Sequence, residues 1–85
     1  MARVMCEVCG VGNVAVGDIL VWDNRAGTQT CVITNCSPPL ELGQYTVFAG
    51  ETATAYVVGP TGEYQYKCIR SKNWGPGDDP RLIVK

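Results

Sequence analysis

The 85-residue chain contains no histidine, and this absence removes more chemistry than any other feature of the composition. Without imidazole there is no Ser–His or Cys–His nucleophile pair and no side chain that ordinarily titrates near neutrality. Charge of one sign is missing too: seven Lys and Arg balance eight Asp and Glu, for a net charge of -1. That lacks the basic footprint of a protein that neutralises many phosphates, so nucleic acid is not an expected partner. No apolar run approaches the ~20 residues that cross a bilayer. The N-terminal MARVMCEVCG lacks the apolar core of a signal peptide, so no membrane is expected and the chain is expected to stay in the cytoplasm where it is made. No Gly-rich phosphate cradle leads into a helix, and Asp78-Asp79, in a Gly- and Pro-rich loop, read as solvated turn residues rather than paired acids. Neither enzymatic activity nor a cofactor is expected.

What is present is punctuation. Gly and Pro recur every eight to twelve residues, and between them lie short runs of Val, Ile, Thr and Tyr, the pattern of an all-β protein. No segment holds a 3.6-residue apolar period. Strands are predicted near 3–8, 13–16, 18–23, 28–34, 44–48, 51–58, 63–70 and 81–85, in one domain spanning 1–85, with 1–10 as an N-terminal edge strand or arm. In ETATAYVV, alternation puts Ala53, Ala55 and Val57 on the buried side. In EYQYKC it puts Tyr64, Tyr66 and Cys68 there. DILVW is apolar on both faces, as a central strand would be. Burial of about 8,400 Å² on folding, roughly 60% of it apolar, contributes on the order of 125 kcal/mol. Ordering the chain costs nearly the same total. A domain with so thin a margin needs a disulfide, a metal or partner subunits.

The Gly17-Asp18 turn, the strand ending in Trp22-Asp23-Asn24, YTVFAGETATAYV, the stretch Gly62-Glu63-Tyr64-Gln65-Tyr66-Lys67-Cys68 and the closing Leu82-Ile83-Val84 together resemble a cupredoxin, the plastocyanin-like sandwich. The resemblance runs from about Val11 to the C-terminus. It implies a single small Greek-key β-sandwich of about seven to eight strands, cupredoxin- or immunoglobulin-like. The family's copper function does not follow: blue copper takes two imidazoles and a thiolate, and only Cys68 matches a ligand position. The stretches where the family's histidines would fall, Gln29 to Cys31 and the IRSKN after Cys68, contain none.

The five cysteines leave three readings open. Cys6 and Cys9 form a CxxC, and with Cys31 and Cys36 they would make a tetrahedral zinc-thiolate site. A thioredoxin-like use of the CxxC lacks the helix that lowers the thiol pKa. Disulfides among Cys6, Cys9, Cys31, Cys36 and Cys68 are the second reading, with many connectivities open; the cupredoxin resemblance places Cys31 and Cys68 as neighbours, so that pair comes first. Buried free thiols acting as small hydrophobes are the third.

Trp74, in a polar loop, is a lid on the core or an anchor for a partner, and Arg70 and Lys72 beside it would meet an acidic surface. Arg3 and Met5 lie on a segment that could add to another subunit's sheet. These features predict a non-enzymatic structural or interaction protein whose partners are other protein subunits, copies of itself or a larger shell; a capsid decoration or cement protein of a phage virion is the most concrete version. The alternatives are the zinc-thiolate or redox module, and a monomeric sugar- or peptide-binding module using Tyr45, Tyr64, Trp22 or Trp74.

Overall fold

The computed structural model describes residues 2–70 and 80–85, with the side chain of Arg70 outside the description; Lys72 and Trp74 lie outside the described residues. Among the described residues nine strands follow in chain order: β1 (Arg3–Glu7), β2 (Val11–Val14), β3 (Ile19–Asp23), β4 (Cys31–Thr34), β5 (Gln44–Val47), β6 (Thr52–Tyr56), β7 (Gly62–Gln65), β8 (Lys67–Arg70) and β9 (Arg81–Val84). No helix occurs among the described residues. The strands form three sheets ordered β1-β3-β6, β2-β9-β7 and β5-β4-β8, so the all-β sandwich expected from the sequence is the observed fold. β1 pairs with β3 and β2 with β9 in parallel, and the other pairs are antiparallel.

Alternation decides what each strand buries. β4 turns Cys31 and Ile33 inward, β5 turns in Tyr45 and Val47, and β9 turns in Leu82 and Val84. β3 is central in its sheet and is buried at Leu20, Val21 and Trp22, as its two apolar faces predict. Trp22 fills the middle of the core, edge-on to Tyr66 with ring centroids 5.2 Å apart. β1 occupies the edge of this same sheet, and Arg3 and Met5 project outward from it.

The predicted strand 63–70 is two strands. Gln65 ends the pairing of β7 with β9, the Tyr66 N–H donates to Pro80 O, and from Lys67 the chain pairs with β4. Tyr66 therefore carries the backbone from one sheet to another. The alternation runs through the switch unbroken, and Tyr66 and Cys68 both stay buried. The consequence is positional: Cys68 arrives beside β4, on the face that carries Cys31.

Asn24 anchors the connection into β4. Its buried Nδ2 donates to Gln29 O at 2.9 Å, Val47 O at 3.1 Å and Phe48 O at 3.2 Å, while its own carbonyl accepts from Gly27 N and Gly50 N. Gly27 is required here, because a Cβ at that position would lie 1.9 Å from Asn24 Oδ1.

Candidate functional site

Sulfur atoms from three distant parts of the chain meet at one place. The Sγ atoms of Cys9, Cys31 and Cys68 all lie within 4.8 Å of one another, and all three residues are buried. Two of them are joined: Cys9 and Cys68, 59 positions apart in sequence, form a disulfide with Cα atoms 5.4 Å apart.

Each sulfur is delivered by a different device. After β1 ends at Glu7, a turn closed by Gly10 N donating to Glu7 O puts Cys9 in the left-handed region, at φ 65°. The turn swings the Cys9 side chain toward β8. Tyr66 holds it there from the other side, since its hydroxyl donates to Gly10 O at 2.7 Å. Burial, with the hydrogen bond only partly offsetting it, lifts the Tyr66 phenol well above its usual pKa. Cys68 comes from β8 after the sheet switch. Cys31 opens β4, and its thiol donates to Gln29 O at 3.8 Å, a carbonyl that Asn24 also holds.

This corrects the predicted bridge. Cys31 and Cys68 do face the same side of neighbouring strands, but Cys31 is opposite Arg70 and Cys68 is opposite Ile33, so the two cysteines are diagonal. Diagonal positions stand roughly 7–8 Å apart, at or beyond the reach of a disulfide. The Cys9 turn approaches closer, and the bond goes there.

The predicted zinc set Cys6, Cys9, Cys31 and Cys36 is likewise divided. Only Cys9 and Cys31 reach the three-sulfur site. Cys6 stays in β1, opposite Trp22, with its sulfur so close to the Gly12 backbone that a Cβ there would sit 2.8 Å from it. Cys36 ties down its loop by donating to Leu42 O at 3.4 Å. Burial pushes both of these thiols up to about 11, so at neutral pH they are protonated and packed as small hydrophobes. Two residues apart in a strand share a face, whereas Cys6 and Cys9 are three apart with a glycine following. That spacing, with Gly10, was the available sign that they part company.

Beside the sulfurs opens a cleft of about 520 Å³ lined by Glu7, Val8, Asp23, Asn24, residues 26–29 and Cys31. Of the three clustered cysteines, Cys31 alone forms part of its wall. Glu7 and Asp23 are opposite one another on β1 and β3. Asp23 pairs with Arg25 at 3.0 Å, and that side-chain hydrogen bond holds its carboxyl below the usual range.

No protein-family profile matches the chain, and neither does any curated protein. Solved structures do. An amicyanin mutant with Cu(I) superposes with TM-score 0.61 at 16% identity, covering 98% of this chain and 82% of that one. A second amicyanin mutant, in its reduced Cu(I) form at pH 4, gives 0.63, again at 16% identity and with the same coverage. A third, reduced, gives 0.60 at 18%, covering 98% and 80%. The fold is therefore cupredoxin-like, as the sequence resemblance implied. The family's copper centre does not fit these residues: with no histidine anywhere in the 85 positions, two of the donors that a blue-copper site uses are missing. This chain is a cupredoxin-like sandwich in which three buried sulfurs come together.

Proposed function

We propose that the reduced protein binds one soft d10 cation, Cu(I) or Zn(II), between Cys9, Cys31 and Cys68. The observation that carries this reading is the convergence of three buried sulfurs within 4.8 Å. A cation held by thiolates at ~2.3 Å needs sulfurs ~3.8–4.0 Å apart, which small side-chain rotations supply once the Cys9–Cys68 bond is reduced. Three thiolates favour soft ions over hard ones, and a buried anionic cluster is stable only with such a counter-charge. Cys31 on the cleft wall gives the ion an entry path. The function is carriage or storage of the ion, without turnover of a substrate. Native mass spectrometry of the reduced chain, with Cu(I) and separately with Zn(II), tests it. One ion per chain, lost in Cys31→Ser and giving no intense blue colour, is expected; a reduced monomer that takes up neither ion would overturn it.

A second reading, a structural subunit of a larger assembly, draws on one observation. On the outer face of β1-β3-β6, Arg3, Ile19 and Tyr56 form one row across the strands and Met5, Val21 and Thr54 the next, with Met5 and Tyr56 about half exposed. Met5 and Tyr56 are the exposed apolar side chains there that a second copy of the chain would cover. Its virion version draws no support from the structural neighbours. Sedimentation at micromolar concentration separates the cases, since a strict monomer speaks against assembly.

A further inference from the structure

The outer edge of β1 presents backbone groups that no strand uses. Ala2 O accepts from Ile19 N and Val8 N donates to Asp23 O, so in this parallel ladder the even-numbered residues of β1 bond to β3. The N–H and C=O groups of Arg3, Met5 and Glu7 therefore point away from the sheet. Among the described residues no strand pairs with that side; a turn bond from Gly10 N to Glu7 O lies at its end. The same three side chains are exposed, Met5 at 49%. Edges are commonly blunted by a bulge, a proline or a lysine, and β1 keeps an unbroken register through Arg3–Glu7 with none of these. We propose that β1 pairs antiparallel with β1 of a second copy about a two-fold axis at Met5, joining the two β1-β3-β6 sheets into one.

The charges on the strand choose this partner. With Met5 opposite the copy's Met5, Arg3 stands opposite the copy's Glu7 and Glu7 opposite the copy's Arg3, so RVMCE supplies both halves of each opposite-charge pair. All three residues present N–H and C=O on this side, so each opposed pair can exchange both of its backbone bonds. The two Met5 side chains then cover each other on the outer face. A slip of two residues in either direction sets Met5 against a charge and breaks both ion pairs. Neither charge is committed elsewhere, since the ion pairs among the described residues are Asp23–Arg25 and Glu63–Arg81. Glu7 also lies next to Asp23 in the register, and a cation arriving on its open side relieves that crowding of like charge. Of the other strands at sheet edges, β2, β5, β6, β7 and β8, none carries charges of both signs.

The inference rests on the assembly reading in taking a second copy as the partner, and it is independent of metal binding. A short edge buries little area, so the dimer is reversible and is read by sedimentation equilibrium of the full chain from ~10 μM to ~1 mM. Low salt is used, because exposed charge pairs are screened otherwise. A monomer–dimer equilibrium is expected for the parent chain. Arg3→Glu and Glu7→Arg should each raise the dissociation constant about tenfold, since either change turns both cross-strand pairs into like-charge pairs. Mixing equal amounts of the two variants should restore association, because a mixed dimer again sets opposite charges at both positions. Met5→Lys, which puts two ammonium groups face to face on the axis, should stay monomeric. All three side chains are exposed, so the core is untouched by these changes. A parent chain that is monomeric throughout the range overturns this interface and the assembly reading together. A dimer that Tyr56→Lys dissociates while the charge variants do not, or one that fails to recover on mixing, overturns the β1 pairing and leaves assembly through the sheet face standing.

Discussion

Asn24 is a single side chain on which three backbone segments depend. Its Nδ2 serves carbonyls 5, 23 and 24 residues away, and in Asn24→Ala those acceptors lose their donor. A loss of about 2–4 kcal/mol is expected by urea denaturation, together with loosening of the loop that ends in Cys31. Gly27→Ala should act in the same direction, because the new methyl displaces the Asn24 side chain. The sequence marks Asn24 and Gly27 as turn residues and no more, since the acceptors at Val47 and Phe48 are remote in the chain. Cys6 and Cys36 carry a different prediction. Their folded pKa values are raised to about 11 from an ordinary 9.0, so between those values the unfolded chain has released protons that the folded one still holds. Stability should therefore be intact below pH 9 and fall as pH rises toward 11. Thermal melts of Cys6→Ala and Cys36→Ala across that range, against the parent chain, should show a shallower fall in each variant.

Among the elements, the joint between β7 and β8 matters most for the site. Alternation reads 63–70 as one strand because Tyr64, Tyr66 and Cys68 all point inward, and a change of partner strand leaves that period untouched. What the period omits is the hydrogen bonding, which passes from β9 to β4 at Tyr66. The Tyr66 hydroxyl also fixes the Cys9 turn through Gly10 O. Tyr66→Phe keeps the ring against Trp22 and removes the hydroxyl's hydrogen bonding to this turn, so about 1–2 kcal/mol should be lost in chemical denaturation. The same variant should reduce Cys9–Cys68 more readily in a dithiol titration, as the turn no longer holds Cys9 in place. Loss of stability with an unchanged reduction midpoint would show that the turn holds itself.

For the molecule as a whole, the disulfide links positions 59 apart in sequence, worth about 4 kcal/mol by the chain-entropy estimate. In a domain whose burial and ordering terms nearly cancel, that is a large share of the total. Reduction with dithiothreitol should lower the melting temperature by well over 10 °C. Adding Cu(I) or Zn(II) to the reduced chain should recover part of the fall, since a ligand bound only by the folded state stabilises it by mass action. Recovery with Mg(II) instead would contradict a thiolate site.

The sequence by itself determined the all-β pattern, the faces most strands bury and the lack of imidazole, because these depend on residue type and on a two-residue period that is local. It therefore fixed the sandwich and ruled out blue copper. Which cysteines meet was decided only by the tertiary structure: Cys9, Cys31 and Cys68 come together through the turn after β1, the start of β4 and the sheet switch at Tyr66. The register that sets Cys31 diagonal to Cys68 and leaves Cys9 the nearer partner arises from pairing strands far apart in the chain, where no local pattern reaches.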